Sequence, residues 1–268
     1  KKLFDMDPSD CPVCEGTGFL LRERCCLCDG CPVVEVPQTK SVNLLRPKPQ
    51  KRIYLLRHAE GFHQVCSDGE NMPDPELTDI GVKQAEYWID KMPQVAGRVD
   101  VVLISPFKRT IHTALLAFGR TRKSKPSKGN SHLLLCRYAR ELHWIYQANQ
   151  IGDEETIKTF LETLALPRVE ELLDGTALGM GPGTGSISEA LRVAEETPGS
   201  EKASVEKLLE ELRKRPEESV AVVCHGALMK ALLPALSSRR HVENCLLVQC
   251  EFDERGEQLV LKGKTHEP

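Results

Sequence analysis

The stretch RIYLLRHAEGFH, residues 52–63, decides how the rest of the chain is interpreted. It opens with a short apolar run, which is typical of a buried strand. The run ends on Arg57 and His58, so a guanidinium and an imidazole stand at the carboxyl end of the predicted strand. An Arg-His pair after a strand is usually structural, and this stretch alone therefore predicts only a strand.

Two further stretches have the same organisation. Residues 99–104, VDVVLI, predict a second buried strand, and Ser105-Pro106 predicts the N-cap and first residue of a helix that carries Arg109 in its first turn. Residues 219–224, SVAVVC, predict another buried strand, which ends at His225 before a helix resumes. Each strand therefore leads into a cationic or titratable side chain.

Strands that alternate with helices indicate an α/β sandwich with a largely parallel sheet. The carboxyl ends of such strands converge where ligands bind, so we expect Arg57, His58, Arg109 and His225 to share one pocket. Guanidinium groups match phosphate oxygens, and a helix N-terminus adds N–H donors. A neutral imidazole can attack phosphorus, and nearby cations keep it neutral. The combination predicts a phosphoryl-transfer site with a histidine nucleophile.

The remaining segments predict a three-layer sandwich with an insertion. Residues 142–215 lack strand signals and predict a helical insertion over one end of the sheet. Within it, residues 174–186 are rich in glycine, but no strand precedes them and no Gly-Lys-Ser/Thr closes them, so they predict a flexible surface loop. Residues 244–253 and 258–262 predict two closing strands. Thr78 predicts the N-cap of an earlier helix.

Six of the eleven cysteines lie within residues 11–31, which predicts a small zinc-binding module over residues 1–35. Its structural zinc would be held by two CxxC pairs: Cys11, Cys14, Cys25 and Cys28. Cys26 and Cys31 are surplus, and Cys31 also forms a CxxC pair with Cys28, so the ligand set stays open. Disulfides or spare thiols are the alternative. The repeats resemble the CxxCxGxG units of J-domain chaperones and of small plastid zinc-finger proteins.

The composition limits the other classes of protein. The chain has 268 residues and a net charge of -3, with 40% hydrophobic and 28% charged residues, as in ordinary globular proteins. No stretch reaches the roughly 18 apolar residues that span a bilayer, and the net charge gives no nucleic-acid signal. The basic run 120–128 predicts a solvated loop rather than an anion-binding arm. Residues 36–51 contain three prolines and predict a linker to a domain at 52–268.

The cysteine usage favours a reducing intracellular compartment, the cytoplasm or an organelle. The sequence begins KKLFDMDPSD, which lacks the apolar core of a signal peptide. It does not begin with Met, so a targeting segment could precede it.

Four segments, in this order along the chain, resemble the histidine phosphatase superfamily, the phosphoglycerate-mutase-like fold. LLRHAEGFH at 55–63 is similar to the RHG signature, and LTDIG at 77–81 is similar to LTxxG. SPFKRTIHTA at 105–114 is similar to SPxxRTxQTA, and VVCHGALMKALL at 222–233 is similar to VxHGGxxRxLL. The resemblance covers residues 52 to about 253. It implies an enzyme that needs no metal at its catalytic site.

By this resemblance His58 becomes phosphohistidine, while Arg57, Arg109 and His225 bind the phosphate. The family has an acidic proton donor after the third strand. In this chain residues 133–137 predict a third strand, and Arg140-Glu141 follows it. Glu141 is therefore implied as the residue that protonates the leaving oxygen and later activates water.

Several positions depart from the family pattern or compete for a role. Gln64 stands where many members have Asn, and because Gln reaches further, its phosphate contact is open. His63 either contacts the substrate or is an exposed loop residue. Glu60 is a weaker rival to Glu141. We expect His112, which stands where the family often has Gln, to be structural.

Three functions compete at this point. A phosphatase that hydrolyses a small phosphorylated molecule or a phosphoprotein is favoured, because the longer mutase-specific segments are absent. A phosphomutase of the same fold is the first alternative. The second is an inactive scaffold whose zinc module binds a protein or nucleic-acid partner.

Overall fold

The computed structural model describes residues 19–20, 23–24, 51–119, 131–143, 145–173, 184–185, 187–191 and 200–268. The chain divides into two compact units, 1–48 and 49–268. In the first unit, β1 (Phe19–Leu20) and β2 (Glu23–Arg24) pair antiparallel. The predicted zinc ligands, the linker and the basic run lie outside the described residues, as does most of the glycine-rich segment.

The second unit is built on a seven-stranded sheet. Its strands are β3 (Arg52–Arg57), β4 (Val101–Ile104), β5 (His132–Cys136), β6 (Thr184–Gly185), β7 (Ser219–Cys224), β8 (Leu247–Phe252) and β9 (Leu259–His266). They lie in the order β6-β5-β4-β7-β3-β8-β9. The four strands from β5 to β3 are parallel to one another, and the outer strands are antiparallel to their neighbours. The predicted α/β fold with a mostly parallel central sheet is confirmed, and the antiparallel pairing is confined to the edges.

Helices cover both faces of this sheet. They are α1 (Asp79–Glu86), α2 (Trp88–Val95), α3 (Lys108–Gly119), α4 (Glu154–Thr163), α5 (Val169–Leu173), α6 (Ile187–Leu191), α7 (Ser200–Lys214) and α8 (Gly226–Leu232). Successive strand residues point to opposite faces, so Leu56 enters one apolar cluster with α1 to α6, and Leu55 enters a second with α7 and α8. These two clusters form the predicted three-layer sandwich. In the part of the chain that the structure describes, no helix is long and apolar enough to cross a membrane.

The predicted insertion at 142–215 is helical, and α4 to α7 lie within it. One feature differs from the prediction. The two-residue strand β6 pairs antiparallel with β5, and it is too short to show a period in the sequence. The apolar side of α4 packs on one face of the sheet, and that of α7 packs on the other.

The start of α1 is built against the loop that follows β3. Thr78 is its N-cap, as predicted, and its Oγ1 accepts a hydrogen bond from the backbone N–H of Gly81 at 3.0 Å. The same hydroxyl donates to Oε1 of Glu60 at 2.7 Å. A Cβ on Gly81 would lie 2.0 Å from the carbonyl oxygen of Glu60, so only glycine allows this approach. This contact fixes the backbone at Glu60, two residues after His58.

Candidate active site

The order of the strands brings the predicted site residues together. Because β7 lies between β3 and β4, His225 is flanked by His58 on one side and Ser105 on the other. The backbone N–H of His58 donates to Cys224 at 2.9 Å, and that of Ser105 donates to Val223 at 3.0 Å. The ring centroids of His58 and His225 are 5.2 Å apart. The two imidazoles, 167 positions apart in the sequence, therefore line one site.

His58 is held as a neutral base. Its side chain is 2% exposed, and its Nδ1 lies 2.7 Å from the carbonyl oxygen of Ala59. Because a carbonyl oxygen only accepts, we assign the ring proton to Nδ1 and the lone pair to Nε2. Burial lowers the pKa of His58 well below its usual value, and the charges of Arg57 and Arg109 lower it further. Nε2 is therefore the atom that can attack an electrophile at neutral pH.

His225 is held in the opposite tautomer. Its Nδ1 lies 3.3 Å from Nη2 of Arg109, and its Nε2 lies 2.8 Å from Oγ of Ser105. A guanidinium only donates, so Nδ1 accepts and Nε2–H donates to the hydroxyl. The pKa of His225 is lowered well below its usual value, first by burial and then by the charge of Arg109. The site thus contains one imidazole with a lone pair at Nε2 and one with a proton there.

Arg109 lies in the first turn of α3 and is fully buried. Its Nη1 donates to the carbonyl oxygen of Ala148 at 2.8 Å, and its Nη2 donates to Oδ1 of Asn149 at 2.9 Å. Its Nε is buried and has no hydrogen-bond partner within the described residues. Burial lowers the pKa of Arg109 to about 10, against the opposing effect of Asp74. The group therefore stays charged at neutral pH.

Arg57 supplies a second guanidinium at the end of β3. Its Nη1 donates to the carbonyl oxygen of Val242, and its buried Nε also has no partner among the described residues. A Cβ on Gly226 would lie 3.4 Å from this Nε, so glycine at the start of α8 leaves room beside it. Burial lowers the pKa of Arg57, and the charge of Glu141 opposes this most strongly. A buried and a half-buried cation, each with a buried Nε that lacks a partner among the described residues, lie beside neutral imidazoles. This environment is suited to an anion.

Glu141, the predicted proton donor, acts electrostatically on the same two guanidiniums. It follows β5 and a short 3-10 helix, Arg137–Ala139, and is half-buried. One carboxylate oxygen accepts from the backbone N–H of Leu142 at 2.8 Å. Burial is the main cause that lowers the pKa of Arg57 and of Arg109. The negative charge of Glu141 raises the pKa of both groups and so acts against burial. The structure therefore brings this carboxylate to the cluster around His58.

Gln64, predicted as a phosphate ligand, is exposed and is already paired. Its Nε2 donates to Oδ1 of Asn244 at 3.1 Å, and its Oε1 accepts from Nδ2 of Asn244 at 3.0 Å. The same Oε1 accepts from the backbone N–H of Gly61 at 3.1 Å. The amide would have to leave this pair before it could contact a phosphate.

Glu60 and His112 make contacts of a structural kind. The carboxylate of Glu60 accepts from the N-cap hydroxyl of Thr78, which ties it to α1. The ring of His112 is half-buried and meets the ring of Phe160 edge-on, with centroids 6.3 Å apart. These contacts fit the structural role expected for His112, and they give Glu60 a role other than proton donation.

Ser105 was predicted only as a helix N-cap, and this prediction was wrong in its detail. The helix α3 begins at Lys108, two residues after the predicted first residue. The hydroxyl of Ser105 bonds His225 instead, and its carbonyl oxygen accepts from Oγ1 of Thr110 at 2.7 Å. A Ser-Pro pair after a strand has the same appearance in either case, so the sequence does not separate the two roles.

Asp74 is a buried member of the site that the sequence analysis missed. It is 3% exposed and has a left-handed φ of 39°. Its Oδ1 accepts from the backbone N–H of Lys108 at 3.1 Å and lies 4.0 Å from Nη1 of Arg109. Burial raises the pKa of Asp74 to about 6, against the opposing charge of Arg109. Its only signal in the sequence is that prolines 73 and 75 flank it, which indicates a turn.

The second unit also contains cysteines, but they are not arranged as ligands. Burial raises the pKa of Cys136 and of Cys245 to about 12, so both stay protonated thiols at neutral pH. Among the residues that the structure describes, no group of three or more His, Cys, Asp or Glu side chains is placed to hold a metal ion.

Two curated proteins of Arabidopsis thaliana are similar to part of the chain. A phosphoglycerate mutase-like protein is 36% identical over 78 residues, which cover 26% of this chain and 29% of the relative. Phosphoglycerate mutase-like protein 2 is 31% identical over 109 residues, which cover 37% of this chain and 31% of the relative. The chain thus spans about three tenths of the length of the curated relatives it matches.

The chain was also compared with solved structures and with sequence models of families. A putative alpha-ribazole-5'-P phosphatase from Escherichia coli is 15% identical, with a TM-score of 0.48 over 81% of this chain and 97% of that chain. A phosphoserine phosphatase from Entamoeba histolytica is 19% identical, with a TM-score of 0.46 over 79% of this chain and 95% of that chain. Residues 53–127 match the sequence model of the histidine phosphatase superfamily, branch 1. The family model thus covers the part of the chain that contains His58 and Arg109.

Proposed function

We propose that the chain is a phosphomonoester hydrolase of this superfamily that works through a phosphohistidine on His58. One observation carries the proposal. Two neutral, buried imidazoles with centroids 5.2 Å apart lie beside one buried and one half-buried guanidinium, whose buried Nε atoms have no partner in the described residues. A phosphoryl group supplies the negative charge and the hydrogen-bond acceptors that this cluster lacks.

In the first step, the lone pair on Nε2 of His58 forms a bond to phosphorus while the bond from phosphorus to the leaving oxygen breaks. Glu141, as the general acid, gives a proton to that oxygen. Arg57 and Arg109 stabilise the charge on the remaining phosphoryl oxygens, as their position beside the nucleophile allows. The phosphorylated ring keeps its Nδ1–H on the carbonyl oxygen of Ala59, which favours the developing positive charge.

In the second step, a water molecule attacks phosphorus and the P–N bond breaks, which returns the electron pair to Nε2 of His58. The carboxylate of Glu141 takes a proton from the water, so each group ends the cycle as it began. His225 would bind a phosphoryl oxygen throughout. Its tautomer is set by Arg109 and Ser105. Its Nε2–H, which donates to the Ser105 hydroxyl, would be shared with the phosphoryl oxygen in a bifurcated hydrogen bond.

The first test is the release of phosphate from an aryl phosphate in the presence of EDTA. We expect wild-type protein to turn over and His58→Ala to lose activity. His112→Ala is a matched control, because this histidine also has a pKa lowered by burial but packs against Phe160. Activity retained by His58→Ala would refute the phosphohistidine mechanism. Direct inhibition by EDTA would contradict catalysis without a metal.

A phosphomutase is the second candidate, favoured by the names of the curated relatives, which are phosphoglycerate mutase-like proteins. Both reactions begin with the same phosphohistidine and differ in what accepts the phosphoryl group. A substrate labelled with phosphorus-32 distinguishes them, because a hydrolase releases inorganic phosphate and a mutase returns the label to an organic product. We expect inorganic phosphate to be the main product.

We also propose that Cys11, Cys14, Cys25 and Cys28 hold a structural zinc ion, with no part in turnover. The proposal stands on the spacing of the two CxxC pairs. Such a module would bind a protein partner and would persist in a reducing compartment, while the catalytic unit acts on a phosphorylated small molecule or a phosphoprotein.

A further inference from the structure

A third imidazole, that of His63, stands beside the two already described. It lies on the 3-10 helix Phe62–Gln64, which follows the nucleophile. Its ring centroid is 5.7 Å from that of His58, and the ring planes are inclined by 49°. Its Nδ1 is buried, and its ring takes part in no hydrogen bond within the described residues. Neither the nucleophilic nor the acid-base step described above uses this side chain.

Two close backbone approaches fix the position of His63. A Cβ on Gly61 would lie 2.8 Å from Nδ1 and 3.0 Å from Cε1 of the ring. A Cβ on Gly69 would lie 2.0 Å from the carbonyl oxygen of His63. The chain therefore uses glycine on both sides of this residue, at a cost in conformational entropy. The Nδ1–Cε1 edge of the ring therefore packs against Gly61.

The charges around His63 are those of the phosphate cluster. Burial lowers its pKa to about 3, and the next largest effects come from Arg109 and Arg57. Its ring in turn contributes to the lowered pKa of His58 and of His225, after burial and the arginines. His63 is therefore close enough to share the electrostatic environment of the nucleophile and both guanidiniums.

We infer that Nε2–H of His63 donates a hydrogen bond to a nonbridging oxygen of the substrate phosphoryl group. The inference rests on the proposed function, and it adds a phosphate ligand from the segment where Gln64 was expected to supply one. The amide of Gln64 is paired with Asn244, whereas the adjacent ring of His63 has no hydrogen-bond partner among the described residues. An Nε2–H is present in the cation and in one neutral tautomer, so the bond does not require protonation of the ring.

The test measures the binding of inorganic phosphate by calorimetry, and KM for an aryl phosphate, in full-length variants. His63→Phe keeps an aromatic ring but removes both nitrogens, and His63→Gln restores an N–H donor. For His63→Phe we expect the Kd of phosphate and KM to rise about tenfold, the usual size for a lost bond to a charged group. His63→Gln should recover most of this affinity. His112→Phe, on α3, is the matched control and should bind phosphate as wild type does.

A second readout does not depend on how the variants fold. In protein labelled with nitrogen-15 at histidine, saturation with phosphate should shift the Nε2 resonance of His63 in the direction of a donated hydrogen bond. Wild-type affinity in His63→Phe, or no change at this nitrogen, would overturn the inference and leave the proposed hydrolase intact. Phosphate binding that depends on His63 in a protein without turnover would instead refute the hydrolase alone. A wild-type protein that does not bind phosphate would refute both.

Discussion

The buried carboxylate of Asp74 should cost the folded protein stability at neutral pH, and Asp74→Asn should remove this cost. Asp74 is 3% exposed, and its Oδ2 has no hydrogen-bond partner within the described residues. Burial raises its pKa from 3.8 to about 6, and the charge of Arg109 offsets this only in part. Asn keeps an oxygen for the backbone N–H of Lys108 and carries no charge.

The size of the effect follows from the two pKa values. The folded protein holds the proton of Asp74 up to about pH 6, while the unfolded chain releases it near 3.8. Stability that is present below pH 3.8 is therefore lost as the pH rises through 6. The difference between the two values corresponds to about 3 kcal/mol. This figure already includes the attraction of the carboxylate to Arg109. Because Asn must also bury its amide N–H groups, we expect a net gain of about 1–2 kcal/mol above pH 7.

The assay is urea unfolding, followed by tryptophan fluorescence between pH 4 and pH 8, for wild type, Asp74→Asn and Asp90→Asn. The exposed Asp90 is the matched control. The free energy of unfolding of Asp74→Asn, relative to wild type, should rise between pH 4 and pH 7 and then level off. Asp90→Asn should run parallel to wild type. A difference that does not change with pH, or one that falls as the pH rises, would refute the reasoning.

Three other perturbations test separate parts of the structure. Ser105→Ala leaves Nε2–H of His225 without its partner, so kcat should fall about tenfold with little change in the free energy of unfolding; unchanged kcat would contradict a role for this bond. Gly81→Ala places a Cβ against the carbonyl oxygen of Glu60, so differential scanning calorimetry should show a loss of about 2 kcal/mol or more. Elemental analysis should find one zinc per chain, and Cys11→Ser should lower this content while the catalytic unit keeps its turnover; a zinc-free wild type would refute the module.

The central strands and the positions of Arg57, His58, Arg109 and His225 could be predicted from the sequence. Each strand is a continuous apolar run because it is buried on both faces, and the carboxyl ends of parallel strands must lie at the same edge. The N-cap at Thr78 was also predictable, since the hydroxyl bonds a residue only three positions away.

The contacts that depend on tertiary structure could not be predicted in this way. Ser105 bonds a residue 120 positions away, and Gln64 bonds one 180 positions away. No local pattern distinguishes these partners from solvent. Asp74 presents the same difficulty, because a buried carboxylate between two prolines has the sequence of an exposed turn. The sequence also does not show on which face of the sheet α4 and α7 pack, because that depends on contacts with strands distant in the sequence.

The position of β7 between β3 and β4 has a consequence for how the protein is made. Within the described part of the chain, β3 pairs only with β7 and β8, and both are synthesised after residue 218. In a nascent chain that ends before β7, the strand that lies between β3 and β4 is missing. The segments that bear His58 and Arg109 therefore cannot be joined in one sheet. Formation of the sheet must wait for contacts between distant parts of the sequence, which slows folding. A product truncated before β7 would contain the nucleophile and both arginines. In that product β3 would lack both of its partners and β4 would lack one, which exposes these apolar strands to aggregation and proteolysis.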